Sequence, residues 1–242
     1  YIDVSAVRTR WAVLAAIALL VVGFVGFSAS AAIIVSDLVL DARVPAGGAE
    51  TYVFQVTNTG DEAVDVTITY YDWSVDERGN HQFFVNDMGI ERSLRGLVEF
   101  SPAAFRLESQ QARDVRVTIR STQQADGTYW GMLMVENEAP AVRQDVAGAF
   151  IHVQVRYGVK LYNTVPGTER PAGAVERVAA AQPAAGEPPM LSLTFMNSGN
   201  VKLAPNGWFE IRDGRGQPVW RTDFEGRTVP PGSRMLIEQP YD

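Results

Sequence analysis

The sequence predicts an all-β chain of two β-sandwich modules, and three observations carry that prediction. From Ile33 to about Leu161, short runs of alternating apolar and polar residues are separated by turn residues at the spacing of a sandwich, with no helix-length period. The tetrapeptide Asn58-Thr59-Gly60-Asp61 returns, chemically almost unchanged, as Asn197-Ser198-Gly199-Asn200, and each copy closes an alternating run. The chain is 242 residues long, enough for two domains that each bury a core.

Ahead of the first module stand Arg8 and Arg10, an uncharged apolar run from Trp11 to Phe27, and Ser28-Ala29-Ser30-Ala31. A basic start, an apolar middle and a small-residue exit make a signal peptide, with cleavage expected after Ala31. The rival is an uncleaved hydrophobic anchor helix, because seventeen apolar residues sit at the lower edge of what spans a bilayer. Residues 1–31 are therefore the signal peptide or membrane anchor, and the protein is expected to be exported, to the periplasm or alternatively to the cell surface.

The first module, 32–165, predicts strands near 33–43, 51–58, 63–73, 82–85, 97–100, 104–107, 112–120, 128–137 and 148–162. Pro45-Ala46-Gly47-Gly48 reverses the chain before the second strand, Glu77-Arg78-Gly79-Asn80 closes a hairpin, and Asp126-Gly127 opens the strand holding Tyr129 and Trp130. In the repeated tetrapeptide, Asn and Gly supply residues that accept positive φ. Trp73, Trp130, Trp208 and Trp220 fall inside alternating runs, where large aromatics plug a sandwich core.

The second module, 166–242, begins in a linker rich in Pro, Ala and Gly. Val175-Glu176-Arg177-Val178 reads as its first strand, followed by Met190 to Phe195 and by Trp208-Phe209-Glu210-Ile211. About 75 residues remain for it, fewer than the ~100 usual in an immunoglobulin-like sandwich. It reads as a short or truncated immunoglobulin-like module, and the start at Tyr1 and the close on Pro240-Tyr241-Asp242 lead us to expect a fragment.

Composition narrows the function. The chain carries 21 basic and 28 acidic residues, and without Arg8, Arg10 and Asp3 it has 19 against 27. No concentrated basic face is available for phosphates, so nucleic acid is not an expected partner. There is no Cys, which removes disulfides, thiol nucleophiles and Cys-ligated metals together. His81 and His152 lie on different predicted strands without metal-site or acid–base spacing. Asp72, Asp76, Glu77 and Asp87 lack the spacing of a calcium loop and read as solvated turn carboxylates. No Gly-x-Ser-x-Gly elbow accompanies the serines. No enzyme, metal or cofactor is expected.

Three stretches of the first module resemble the amino-terminal domain of the PapD-like periplasmic chaperones of pilus assembly. The first is Pro45-Ala46-Gly47 with Thr51 to Asn58. The second is Phe100-Ser101-Pro102, Phe105-Arg106-Leu107 and Asp114 to Ile119. The third is Tyr129 to Val135, Glu138-Ala139-Pro140 and Ile151 through Tyr162. Together they cover about 130 residues of a strand-addition family.

The resemblance implies a partner: a protein subunit of a pilus or surface assembly, capped by β-strand addition. Ile151, Val153 and Val155 alternate with His152, Gln154 and Arg156, so one face of that strand is apolar. In the family the equivalent strand is lent to an incomplete subunit, and Lys160 matches the lysine that anchors the subunit's terminal carboxylate between the domains. The family also places an arginine on the first strand. Arg43 is the nearest residue, one or two positions out of register, and a one-residue slip turns a side chain to the other face. Asn163-Thr164-Val165-Pro166 departs from the family's Tyr-Arg-Pro-like continuation. A different reading of the same modules is a secreted or membrane-anchored surface protein whose sandwiches act as spacers or adhesion modules, with membrane contact only through the N-terminal segment.

Overall fold

The computed structural model describes residues 33–137, 156–181 and 188–241. All regular elements in them are strands, and no helix among the described residues is long and apolar enough to cross a membrane. The predicted leader lies outside this range.

Ten strands build the first pair of sheets: β1 (Ile33–Val35), β2 (Val39–Ala42), β3 (Ala49–Asn58), β4 (Val64–Val75), β5 (His81–Phe84), β6 (Val98–Ser101), β7 (Ala104–Leu107), β8 (Ala112–Arg120), β9 (Thr128–Asn137) and β10 (Arg156–Thr164). One sheet runs β1-β3-β8-β6, and the other runs β2-β10-β9-β4-β5 with β7 also on β4. Alternation decides what lies between them. Phe54 and Val56 of β3 and Val115, Val117 and Ile119 of β8 face Val66, Ile68, Leu133, Val135, Val159 and Leu161 across a dry core.

The predicted single strand over 33–43 is two strands in different sheets. β1 pairs antiparallel with β3, and β2 pairs parallel with β10. Ser36 makes the corner between them: its amide donates to Gln55 O at 2.9 Å, and its hydroxyl accepts from Gln55 N at 2.9 Å. A serine that satisfies both backbone groups of one β3 residue holds the chain while it changes layer.

Five further strands follow: β11 (Gly173–Ala181), β12 (Met190–Asn197), β13 (Asn206–Arg212), β14 (Pro218–Glu225) and β15 (Arg234–Pro240). They form a three-stranded sheet β11-β12-β15 and a β13-β14 hairpin. Leu193, Val201, Phe209, Val229 and Met235 are buried among them.

The repeated tetrapeptide does the same work twice. Asn58 closes β3 with its side chain fully buried. Its amide donates to Glu62 O at 2.8 Å, Leu107 O at 3.2 Å and Glu108 O at 3.1 Å, while its Oδ1 accepts from Gly60 N at 2.9 Å. Asn197 closes β12 in the same way, donating to Val201 O at 2.8 Å and Val229 O at 2.9 Å and accepting from Gly199 N at 3.0 Å. Neither Gly60 nor Gly199 takes a positive φ. The expected positive-φ turn is instead a side-chain turn, in which the asparagine oxygen takes the place of a backbone carbonyl. The correspondence extends to the loop opposite, where Gln110 and Gly232 both take positive φ, at 60° and 74°. Asn58 N bonds Gln111 O at 2.9 Å, and Asn197 N bonds Ser233 O at 3.0 Å.

Two sequence expectations are corrected. Trp73 and Trp130 are core residues, but Trp208 is 56% exposed and lies 4.4 Å from the Arg221 guanidinium. On β13 it is Phe209 that turns inward, against Phe224 at 5.5 Å, and alternation sends Trp208 outward. Asp72 is not a solvated turn carboxylate. It is buried, and it accepts from Arg95 Nε at 2.6 Å, Ser93 Oγ at 2.5 Å and Tyr70 Oη at 3.1 Å. That network fixes the loop 93–95 against β4, since a buried carboxylate is tolerated only when paired and fully bonded.

Candidate functional site

β10 has one continuous neighbour and one partial one. Along its whole length, from Arg156 to Thr164, it pairs antiparallel with β9. On its other side β2 pairs only with Lys160 to Asn163, and the Lys160 amide donates to Leu38 O at 2.8 Å. Successive amides of a strand point to opposite sides. The amides that face the β2 side are therefore those of the even residues Arg156, Gly158 and Lys160. Leu38, the residue before β2, satisfies the last, and no described strand pairs with the first two on that side. The side chains follow the same parity: Val159 and Leu161 are fully buried in the core, with Tyr157 packed against it, while Lys160 and Tyr162 face the other way. Ile151, Val153 and Val155 lie outside the described residues.

Just beyond these two amides, Lys160 enters a cleft between the two pairs of sheets. The cleft is a cavity of about 240 Å³ lined by Val75, Asp76, Gly79 and His81 on one side and by Arg227, Val229 and Met235 on the other. Lys160 is half-buried, its ammonium 5.3 Å from the centroid of the Trp73 ring. Burial, then the charge of Arg227, lowers its pKa from the usual lysine value. Arg227 donates to Arg78 O at 2.9 Å, and Gly79 leaves room for its guanidinium: a Cβ there would stand 2.2 Å from Nη1. Among the described residues no carboxylate forms an ion pair with Lys160 or Arg227. The Asp76 carboxylate in the same cleft is bonded to Asn80, through its amide and side chain at 2.8 Å each. Arg234, also in the lining, pairs with Glu176 at 2.8 Å.

Arg43 does not join Lys160. It sits one position past the end of β2 and pairs with Glu169 at 2.5 Å. The parallel register sets Val39 beside Lys160, so Arg43 is four residues further along the same strand direction, about 13 Å at the rise of a strand. The second cation of the cleft, Arg227, comes from the loop before β15. Sequence reasoning missed it because Gly226-Arg227-Thr228 carries no motif and lies 67 positions from Lys160.

The two pairs of sheets are tied together at two places. The β4–β5 turn meets the β15 region through Leu236 N to Glu77 O at 2.6 Å. At a second place Asp126 gathers Arg92 at 3.1 Å, Asn200 Nδ2 at 3.0 Å and Arg170, and the bonds from Asn200 and Arg170, against its burial, hold its carboxyl below the usual range. Thr128 N donates to Asn200 O at 2.8 Å across the same joint. Gly127 permits the approach: it has φ +63°, and a Cβ there would lie 2.0 Å from Asn200 O. Asn200 is the fourth residue of the second tetrapeptide, so one copy of the repeat also serves the joint.

No family model and no curated protein matches this sequence. Solved structures do match in fold. A chain from the chaperone–tip adhesin complex of CFA/I fimbriae aligns with a TM-score of 0.52 at 11% identity, over 84% of each chain. The class 5 fimbriae chaperone CfaA aligns with a TM-score of 0.50 at 12% identity, over 84% of this chain and 83% of that one. The CsuC–CsuE chaperone–tip adhesion subunit complex of archaic Csu pili from Acinetobacter baumannii gives 0.52 at 12% identity, over 88% and 89%. The likeness spans both pairs of sheets.

Proposed function

We propose, for a chain that has the fold of the PapD-like fimbrial chaperones, that it is an exported, non-enzymatic assembly chaperone that caps pilus-type subunits by lending them an edge of β10. The reading divides the chain into a leader (1–31) and two immunoglobulin-like modules (32–165 and 166–242). The observation that carries it is the rim of β10, where the amides of Arg156 and Gly158 face away from β9 with no described strand beside them. A guest strand laid there gains backbone hydrogen bonds, and side chains of one parity choose the guest. Ile151, Val153 and Val155 share the parity of Val159 and Leu161, and in this reading they fill the subunit's open groove. Lys160, at the inner end of the rim, holds the terminal carboxylate of the guest and so sets its register.

Nothing in this mechanism needs ATP. The guest's apolar groove is covered while it waits, and a better-fitting neighbouring subunit replaces the lent strand. Co-expression with a pilus-type subunit, followed by co-purification, tests the reading. The wild type is expected to retain a subunit, Val153→Asp to lose it, and Lys160→Ala to retain it weakly. Equal retention by all three rules out capping through this strand.

A further inference from the structure

We propose that Arg227 supplies the second cation of the carboxylate site that the chaperone reading places at Lys160, and that binding of the carboxylate there draws a proton onto His81. The proposal deepens the chaperone reading and rests on it for the identity of the ligand, the C-terminal carboxylate of a guest polypeptide.

The fixed charges come first. Lys160 from β10 and Arg227 from the loop before β15 line one cavity, and among the described residues neither has an ion-pair partner. Two like charges drawn together across a partly dry cleft repel each other, and a carboxylate between them removes the repulsion and accepts from both. An arginine adds a flat, two-pronged donor to the point charge of the lysine. Because the two cations belong to different pairs of sheets, the carboxylate also becomes a tie across the cleft.

His81 begins β5 and lines the same cavity. Its ring lies 5.1 Å from that of Trp73 and is stacked on Phe83 at 6.0 Å. The charged groups around it are Lys160 from β10, Arg227 from the loop before β15, Arg234 of β15, which is neutralised by Glu176, and Asp76 from the β4–β5 turn. Burial, then the positive charge of Lys160, with a smaller contribution from Arg227, holds the imidazole below its usual range, against the opposing effects of Gly79 and Asp76. With the cleft empty, protonation would put a third positive charge beside two others, so the neutral ring is favoured. A bound carboxylate reverses the sign of the nearest charge and favours the imidazolium. By linkage, the carboxylate then binds more tightly as pH falls through the imidazole range.

The test uses formate as the probe and NMR of the imidazole protons of the full chain, with His152→Gln to leave His81 as the sole histidine signal. Titration from about pH 8 to about pH 5.5, where an imidazole changes charge, is expected to show formate binding tighten roughly three- to tenfold and His81 titrate at higher pH when formate is present. His81→Gln is expected to keep the binding seen at high pH and lose the tightening. Arg227→Gln and Lys160→Gln are each expected to weaken binding across the whole range while the tightening at low pH remains. A formate affinity that does not change with pH, or that Arg227→Gln leaves intact, overturns the proposal. Formate forms no backbone pairs with the Arg156 and Gly158 amides, so that outcome leaves strand pairing along β10 untested by it and open to the retention assay, and failure of retention leaves the formate titration standing.

Discussion

Replacing Asn58 by alanine is expected to lower the unfolding free energy by about 2–4 kcal/mol. The side chain is fully buried and donates to three carbonyls, those of Glu62, Leu107 and Glu108, while its oxygen receives Gly60 N. Alanine removes every one of these bonds at once, and no water can enter a site of zero exposure without moving the chain. Carbonyls left unpaired in the interior each cost on the order of 1–3 kcal/mol, moderated by local relaxation. Aspartate is expected to do no better, because it keeps the acceptor for Gly60 and loses the donors. Chemical denaturation with urea, comparing midpoints at constant slope, measures the loss. A change below about 0.5 kcal/mol, the range of ordinary surface substitutions, would show that the asparagine does not hold the β3–β4 and β7–β8 connections together.

Arg156→Pro is expected to leave the fold intact and reduce subunit retention by at least tenfold. By parity from Lys160, the Arg156 amide faces the β2 side of β10, so proline there removes no bond to β9. Proline is compatible with an edge strand when its missing N–H faces outward. The substitution also removes the Arg156–Glu136 ion pair at 3.0 Å, whose arginine side chain is 55% exposed, a contribution of about 0–1 kcal/mol at most. Arg156→Gln separates the two effects, since it loses the ion pair and keeps the amide. A guest strand meeting proline loses a backbone donor and encounters the ring in the plane of pairing. Retention is therefore expected to fall for proline and to stay near wild type for glutamine. Equal behaviour of the two variants would place the guest elsewhere on the molecule.

The sheets were legible in the sequence wherever alternation and turn residues agree. β3, β7, β8 and β9 lie within a residue or two of the expected ranges, because each is bounded by an explicit turn and buries one face. The break between β1 and β2 was not legible: Ile33 to Ala42 reads as a continuous run, and the sheet change depends on Ser36 meeting Gln55, a contact between segments 19 positions apart. The repeated tetrapeptide correctly signalled two equivalent connections, although the mechanism is an asparagine side chain in place of positive φ. The placement of Lys160 on a strand was legible because it lies in a recognisable alternating run. Arg227 and the Asp126–Asn200 joint were not, because they exist only once two distant parts of the chain meet. Trp208 shows the limit of reading burial from residue type: its hairpin is paired on one side only, and the aromatic that alternation turns outward packs under an arginine instead of into a core.

Amide hydrogen exchange along β10, resolved residue by residue in the free protein and in its complex with a retained subunit, tests strand lending most directly. The account predicts that Tyr157 and Val159, which pair with β9, exchange slowly in both states, while Arg156 and Gly158 exchange quickly in the free protein and become protected in the complex. Rapid exchange of Arg156 and Gly158 that persists unchanged in the complex, or protection already present without a guest, would contradict it.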